Sequence, residues 1–151
     1  MRRVYIVGIA VGILLFLVIS ALLARVFSAN SAEQSAITSL VQSEARGDVN
    51  AILGEIRGCR TDPSCRTRAA VNAAALKRAG AVSIIQIQPS TSFSLGGTEG
   101  TARVAWNVNG SHPFVQCVKV RRAGNPISGL RVELLEASRR IPSDADCPAR
   151  Y

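Results

Sequence analysis

The chain has 151 residues, with 18 lysines and arginines against 10 aspartates and glutamates, for a formal net charge of +8. This length leaves room for one modest domain, and aromatics at 5% leave its core to aliphatic side chains. Nucleic acid is not the expected partner, because no basic run is interleaved with aromatics.

Taken in order, the chain opens on its most distinctive stretch. Residues 4–24, VYIVGIAVGILLFLVISALLA, are 21 residues without a charge. At about 1.5 Å per helical residue they reach about 31 Å, close to the thickness of a bilayer's hydrocarbon layer. Arg2 and Arg3 precede them and Arg25 follows. A cleaved signal peptide has a shorter apolar core of about 7–15 residues and a small-residue cleavage site. The exit here, Ala-Arg-Val-Phe-Ser-Ala, offers only mediocre sites of that kind. The expectation is an uncleaved membrane anchor over residues 1–27, with the lipid bilayer as its partner. The basic bias keeps the N-terminus cytoplasmic and sends everything after residue 27 outside. Gly8 and Gly12, four apart, offer a small-residue face for a homodimer.

Beyond the anchor the chain reads as one extracytoplasmic domain, residues 28–141, with a tail over 142–151. Without Arg2, Arg3 and Arg25 it keeps 15 basic against 10 acidic residues, and 16 of the chain's 18 basic residues are arginine. Its four cysteines, Cys59, Cys65, Cys117 and Cys147, suit an oxidising compartment and two disulfides. Of three connectivities, Cys59–Cys65 with Cys117–Cys147 is favoured, the first pair being local and the second tying the tail to a strand. On a chain-entropy basis, loops of about 7 and about 31 residues would contribute about 2.4 and about 3.7 kcal/mol. The spacing is not Cys-x-x-Cys and His112 stands alone, so no metal site and no cofactor are expected.

Three helices are expected next. Ile37, Leu40, Val41 and Ala45 recur at helical spacing, with a capping-box pattern at residues 31–34. Gly47 suits a helix stop and Asp48 the next N-cap. Val49, Ile52, Leu53 and Ile56 form a second stripe ending at Gly58. A third helix fits residues 64–79, with Val71, Ala75 and Leu76 inward. The period then switches to two. Strands are expected at 82–88, ended by Pro89 and resuming over 90–95, and at Ala102–Val104–Trp106–Val108. A hairpin at Asn109-Gly110 leads to Phe114–Val118–Val120, and a last strand carries Leu130, Val132 and Leu134. The fold class is therefore α+β: an N-terminal transmembrane helix, then three helices packed on a curved antiparallel sheet of about four strands.

The stretch Ser-Glu-Ala-Arg-Gly-Asp-Val-Asn-Ala-Ile-Leu, residues 43–53, resembles the helix–Gly-Asp–helix opening of the nuclear transport factor two-like (cystatin-like) superfamily. The third helix and meandering sheet that follow are similar to that fold as well. The resemblance implies a cone-shaped half-barrel with a cavity between sheet and helices, in a family that holds both enzymes and non-catalytic, membrane-anchored exported domains. Enzymatic members place a tyrosine or a protonated acid and an aspartate base inside the cone. Here Tyr5 lies in the anchor and Tyr151 is last, Asp48 reads as a cap, Glu133 points outward, and Glu136 has inward parity but stands near the strand's end, as a rim carboxylate. No catalytic residue is assigned.

The expected function is non-catalytic binding or assembly within the cell envelope, with an envelope protein as partner. A small-ligand carrier or weak enzyme is the alternative, with Trp106, Val104 and Val118 lining the cone beside Val132. A pilin-like subunit is the third reading. It shares the apolar N-terminal helix, the antiparallel sheet and the late disulfide, but the sequence lacks the Gly-ended basic leader and the early glutamate of such pilins.

Overall fold

The computed structural model describes residues 2–89, 99–125, 129–142 and 145–148. Its first element, α1 (Arg2–Arg46), is a single helix of 45 residues. The separate start expected at residues 31–34 is not made. The helix runs through it, so the apolar N-terminal half and the first core helix are one rod. Of that N-terminal half, side chains are described without a break only over residues 5–21. Among the described residues no helix is long and apolar enough to cross a membrane.

α1 ends where the sequence places its stop. Gly47, at φ +70°, donates to Glu44 O at 2.9 Å, and Asp48 N donates to Ser43 O at 3.0 Å. These two bonds close the helix in a left-handed C-terminal turn. Asp48 then caps α2 (Val49–Glu55), its carboxylate accepting from Ala51 N at 3.0 Å. α2 stops before Gly58 because Ile56 turns extended and bridges Leu134 in parallel, with Arg57 N bonded to Leu134 O. That bridge covers an otherwise open sheet edge.

α3 (Pro63–Leu76) starts one residue early, on an Asp62 cap with Pro63 in the first turn, and ends three residues short of Ala79. Its inward face also differs from expectation. Cys65, Ala69, Asn72, Ala73 and Leu76 are buried, whereas Val71 and Ala75 face out. An alanine-rich helix carries little phase of its own, and the Cys59–Cys65 disulfide turns Cys65 inward and sets it.

Four strands, β1 (Val82–Gln88), β2 (Glu99–Val108), β3 (Phe114–Asn125) and β4 (Gly129–Ala137), form an antiparallel meander in that spatial order. The strand expected over 90–95 lies outside the described residues. Asn109 and Gly110 both take positive φ, 49° and 71°, and Ser111 N closes the turn onto Val108 O at 3.0 Å. Two successive positive-φ residues give a hairpin turn whose twist matches the strands. Ala102, Val104, Trp106, Val108, Phe114, Val118 and Val120 face the helices and are buried, as the alternation predicts.

Two bulges break that alternation. One at Ile84/Gln86 exposes Ile85 and returns Ile87 to the core. The other, at Lys119/Val120, turns Ala137 inward in place of Glu136, so the inward parity read for Glu136 fails. α1 contacts all four strands, and with α2 and α3 it closes the inner face of the sheet.

The tail is held by more than the expected disulfide. Ser138 exchanges bonds with the Cys117 backbone, and Ile141 N donates to Val115 O at 2.8 Å. Cys147 then joins Cys117, with Cα atoms 5.7 Å apart, so Val115 and Cys117 are buried on the outer face as well. Replacing Cys117 and Cys147 by serine is expected to lower stability by about 3.7 kcal/mol, more than the about 2.4 kcal/mol for the Cys59–Cys65 pair. Denaturant titration of the two double variants checks the order.

Candidate functional site

Trp106, the residue expected to line a pocket, is wholly enclosed. It lies opposite Phe114 on β3 and Ile84 on β1, with the Trp106 and Phe114 ring centroids 4.8 Å apart. Val104 and Val118 are equally buried, and Val132 packs on the same cluster. None of the described cavities is lined by any of the four. The cavity that the family resemblance implies is occupied at this point by side chains.

Those side chains include polar ones. Trp106 Nε1 donates to Gln116 Oε1 at 2.9 Å, and Gln116 Nε2 donates to Ser138 O at 3.2 Å. Asn72 Nδ2 reaches both Ser138 O, at 3.0 Å, and Glu44 Oε1, at 2.9 Å. The cluster thus joins α1, α3, β2, β3 and the end of β4. Burial raises the Glu44 carboxyl to about 7, and the side chains of Gln116 and Asn72 only partly offset it. Its Oε2 has no hydrogen-bond partner. A neutral carboxylic acid is the form that suits this position, since an ion here would be stripped of water.

Glu44 and Gln116 are the polar groups that the sequence reading passed over. The signal was present in both. Glu44 falls on the Ile37–Leu40–Val41 stripe, and Gln116 shares the inward parity of Phe114 and Val118. Between the helices and the sheet, then, stands an acid that could donate a proton. The groups around it are amides, an indole and a backbone carbonyl, and no described cavity lets a substrate reach it. The arrangement ties five elements together through buried hydrogen bonds.

The remaining candidates lie apart from this cluster and from one another. His112 is exposed beyond the Asn109-Gly110 turn. Glu136 stands 3.9 Å from Arg68, and Glu133 is paired with Arg57 and Arg121 on the outer side. Glu33, buried in the C-terminal half of α1, accepts from Arg122 Nη2 at 2.9 Å. Among the described residues no group of three or more metal-ligating side chains is brought together.

The described grooves are open and lie elsewhere. One of about 560 Å³ runs under the tail, between Ile87, Gln88, Thr101, Arg103, Asp146 and Cys147. A neighbouring one of about 320 Å³ shares Gln88 and Arg103. A third, of about 220 Å³, lies between the ends of α1 and α3.

The N-terminal half of α1 is the other conspicuous surface. Over residues 5–21 its apolar side chains stand exposed all round, with Tyr5 at 75%, Phe16 at 69% and Leu14 at 65%. Gly8 and Gly12 have open space where a Cβ would sit. No family model matches this chain, and no match is found among curated proteins or solved structures.

Proposed function

We propose that this protein is a membrane-anchored extracytoplasmic domain with a non-catalytic binding or assembly role in the cell envelope. The observation that carries the reading is the continuity of α1. A helix that is apolar and exposed on every side passes without a break into the buried helix of a disulfide-bonded domain. A helix apolar all round is at rest in a protein core or in lipid, and none of the described residues covers it over residues 5–21. The 21 uncharged residues at 4–24 are long enough for a bilayer, and the arginines before them favour a cytoplasmic N-terminus. An enclosed Trp106 gives the ligand-carrier reading no support at that residue. Kinship with the nuclear transport factor two-like superfamily belongs to the same proposal, supported by the Gly47-Asp48 junction, the third helix and the four-stranded meander.

Carbonate washing of membranes from expressing cells is expected to leave the chain in the pellet. Protease added outside should digest the domain. Leu14→Arg combined with Leu15→Arg, each costing about 3 kcal/mol at a span's centre, should release it. A wild-type chain found in the soluble fraction, or with reduced cytosolic thiols, would refute the proposal.

The pilin-like reading is favoured by the same rod, because its C-terminal half packs across a four-stranded sheet whose β3 is tied to the tail by Cys117–Cys147. In that reading the exposed apolar half packs against other copies in a filament. Crosslinked ladders of this chain would support it, and monomers dispersed in the membrane would count against it.

A further inference from the structure

The end of the domain opposite the apolar half of α1 gathers cations from three separate places in the chain. Arg46 closes α1, Lys77 and Arg78 follow α3, and Arg139 and Arg140 follow β4; all five are exposed. Tertiary contacts bring Arg46, Arg78 and Arg140 together, with Lys77 against Gly47 beside them. Arg78 N donates to Ala45 O at 2.9 Å, and Arg46 and Arg78 line the same groove. The Asn109 side chain fastens the β2–β3 hairpin to the α3–β1 connection through Ala81 N and Ala79 O. The Phe114 ring then holds two of the cations, with Arg78 Cζ 5.3 Å and Arg140 Cζ 4.9 Å from its centroid. Sharing one ring keeps these guanidiniums within about 10 Å of each other.

None of the five forms an ion pair among the described residues. Of the described acids near this end, Asp48 is engaged in capping α2 and Glu44 is buried beneath the surface. Several cations elsewhere are paired, Arg122 with Glu33, Lys119 and Arg121 with Glu99, and Arg57 with Glu133. Arg60 and Arg66 also stand outside the ion pairs of the described residues but are not gathered round a shared ring. Helix dipoles account for Arg46, Lys77 and Arg78 at two C-termini. They do not account for Arg139 and Arg140, which follow a strand. Clustered like charges repel one another, and a bound anion would relieve that repulsion.

We propose that this basic pole binds a linear polyanion, a polymer with an anionic group on successive units. The cations are spread over several loops beside an open groove, a layout that suits an extended chain better than a single small ion. Arginine forks match the oxygens of phosphate or carboxylate groups. If the N-terminal helix is anchored, its own bilayer is out of reach. The 22 residues from Ala24 to Arg46 set the pole about 33 Å from the surface, several Debye lengths of about 8 Å. Only that exclusion of the lipid rests on the anchor reading; binding of the polymer does not.

The test uses the full chain in neutral detergent, with inorganic polyphosphate as probe at low salt. Binding should weaken steadily as salt rises. Arg78→Gln with Arg140→Gln should reduce affinity about tenfold per arginine lost. Arg46→Gln with Arg139→Gln, which leaves the Phe114 ring and its two cations intact, should act in the same direction. Arg60→Gln with Arg66→Gln, exposed charges at the Cys59–Cys65 loop, should change little. The proposal is overturned if polyphosphate does not bind or if the Arg60/Arg66 pair weakens binding as much as the pole variants. It is overturned equally if inorganic phosphate or phosphatidylglycerol vesicles bind as tightly as the polymer.

Discussion

Trp106→Ala should lower the stability of this domain by about 4 kcal/mol, the largest loss expected from any single side chain here. The indole is fully buried at the centre of the sheet, stacked near Phe114 and bonded to Gln116. Removing it leaves a cavity that the helices and the sheet can only partly close. It also leaves Gln116 Oε1 without its donor. Trp106→Phe separates the two effects: most of the volume stays, and the orphaned oxygen alone is expected to cost about 1–3 kcal/mol. Pairing Trp106→Phe with Gln116→Met should recover much of that loss, which a double-mutant cycle by denaturant titration would read directly. A loss from Trp106→Ala below that of Trp106→Phe would contradict the packing described.

The second large effect is one of pH. Glu44 binds its proton up to about 7 in the folded domain, against 4.5 for a glutamate in the open. Between those values the folded state holds a proton that the unfolded state has released. Stability is therefore full below about pH 4.5 and falls as pH rises toward 7. Above that both states are ionised and the penalty stays constant. At 1.36 kcal/mol per pH unit the whole fall is about 3 kcal/mol. Glu44→Gln should flatten this window and make the variant more stable than wild type above pH 7. A wild-type profile that is flat between pH 4.5 and 7, or one that Glu44→Gln leaves unchanged, would rule the effect out. Asp62 works at the other end. The Ser64 hydroxyl and backbone N–H hold its carboxylate below the usual range. Its contribution is present above pH 3.8 and is lost as pH falls through its lowered value, so the two windows do not overlap.

Much of this molecule was legible residue by residue, and the reasons are local. The Gly47-Asp48 junction was readable because only glycine takes a left-handed turn freely and aspartate is a strong cap. The Asn109-Gly110 turn was readable for the same kind of reason, and the burial of Ala102, Val104, Trp106 and Val108 followed from a period of two. Both disulfides followed from an even cysteine count and one short loop. The inward face of α3 did not follow, because alanines give no phase. The parity of Glu136 did not follow either, because a bulge is fixed by the partner strand.

What the sequence determined alone is the material: 21 uncharged residues, then helical and alternating periods, turn residues and paired cysteines. Each depends on the preferences of near neighbours along the chain. Only the tertiary structure decided that α1 is one continuous rod, that Glu44 and Gln116 meet inside the core, and that Arg78 and Arg140 share the Phe114 ring. The last two depend on contacts between residues far apart in the chain. Distance in space, which sets desolvation and charge repulsion, is not a property that any local stretch of sequence carries.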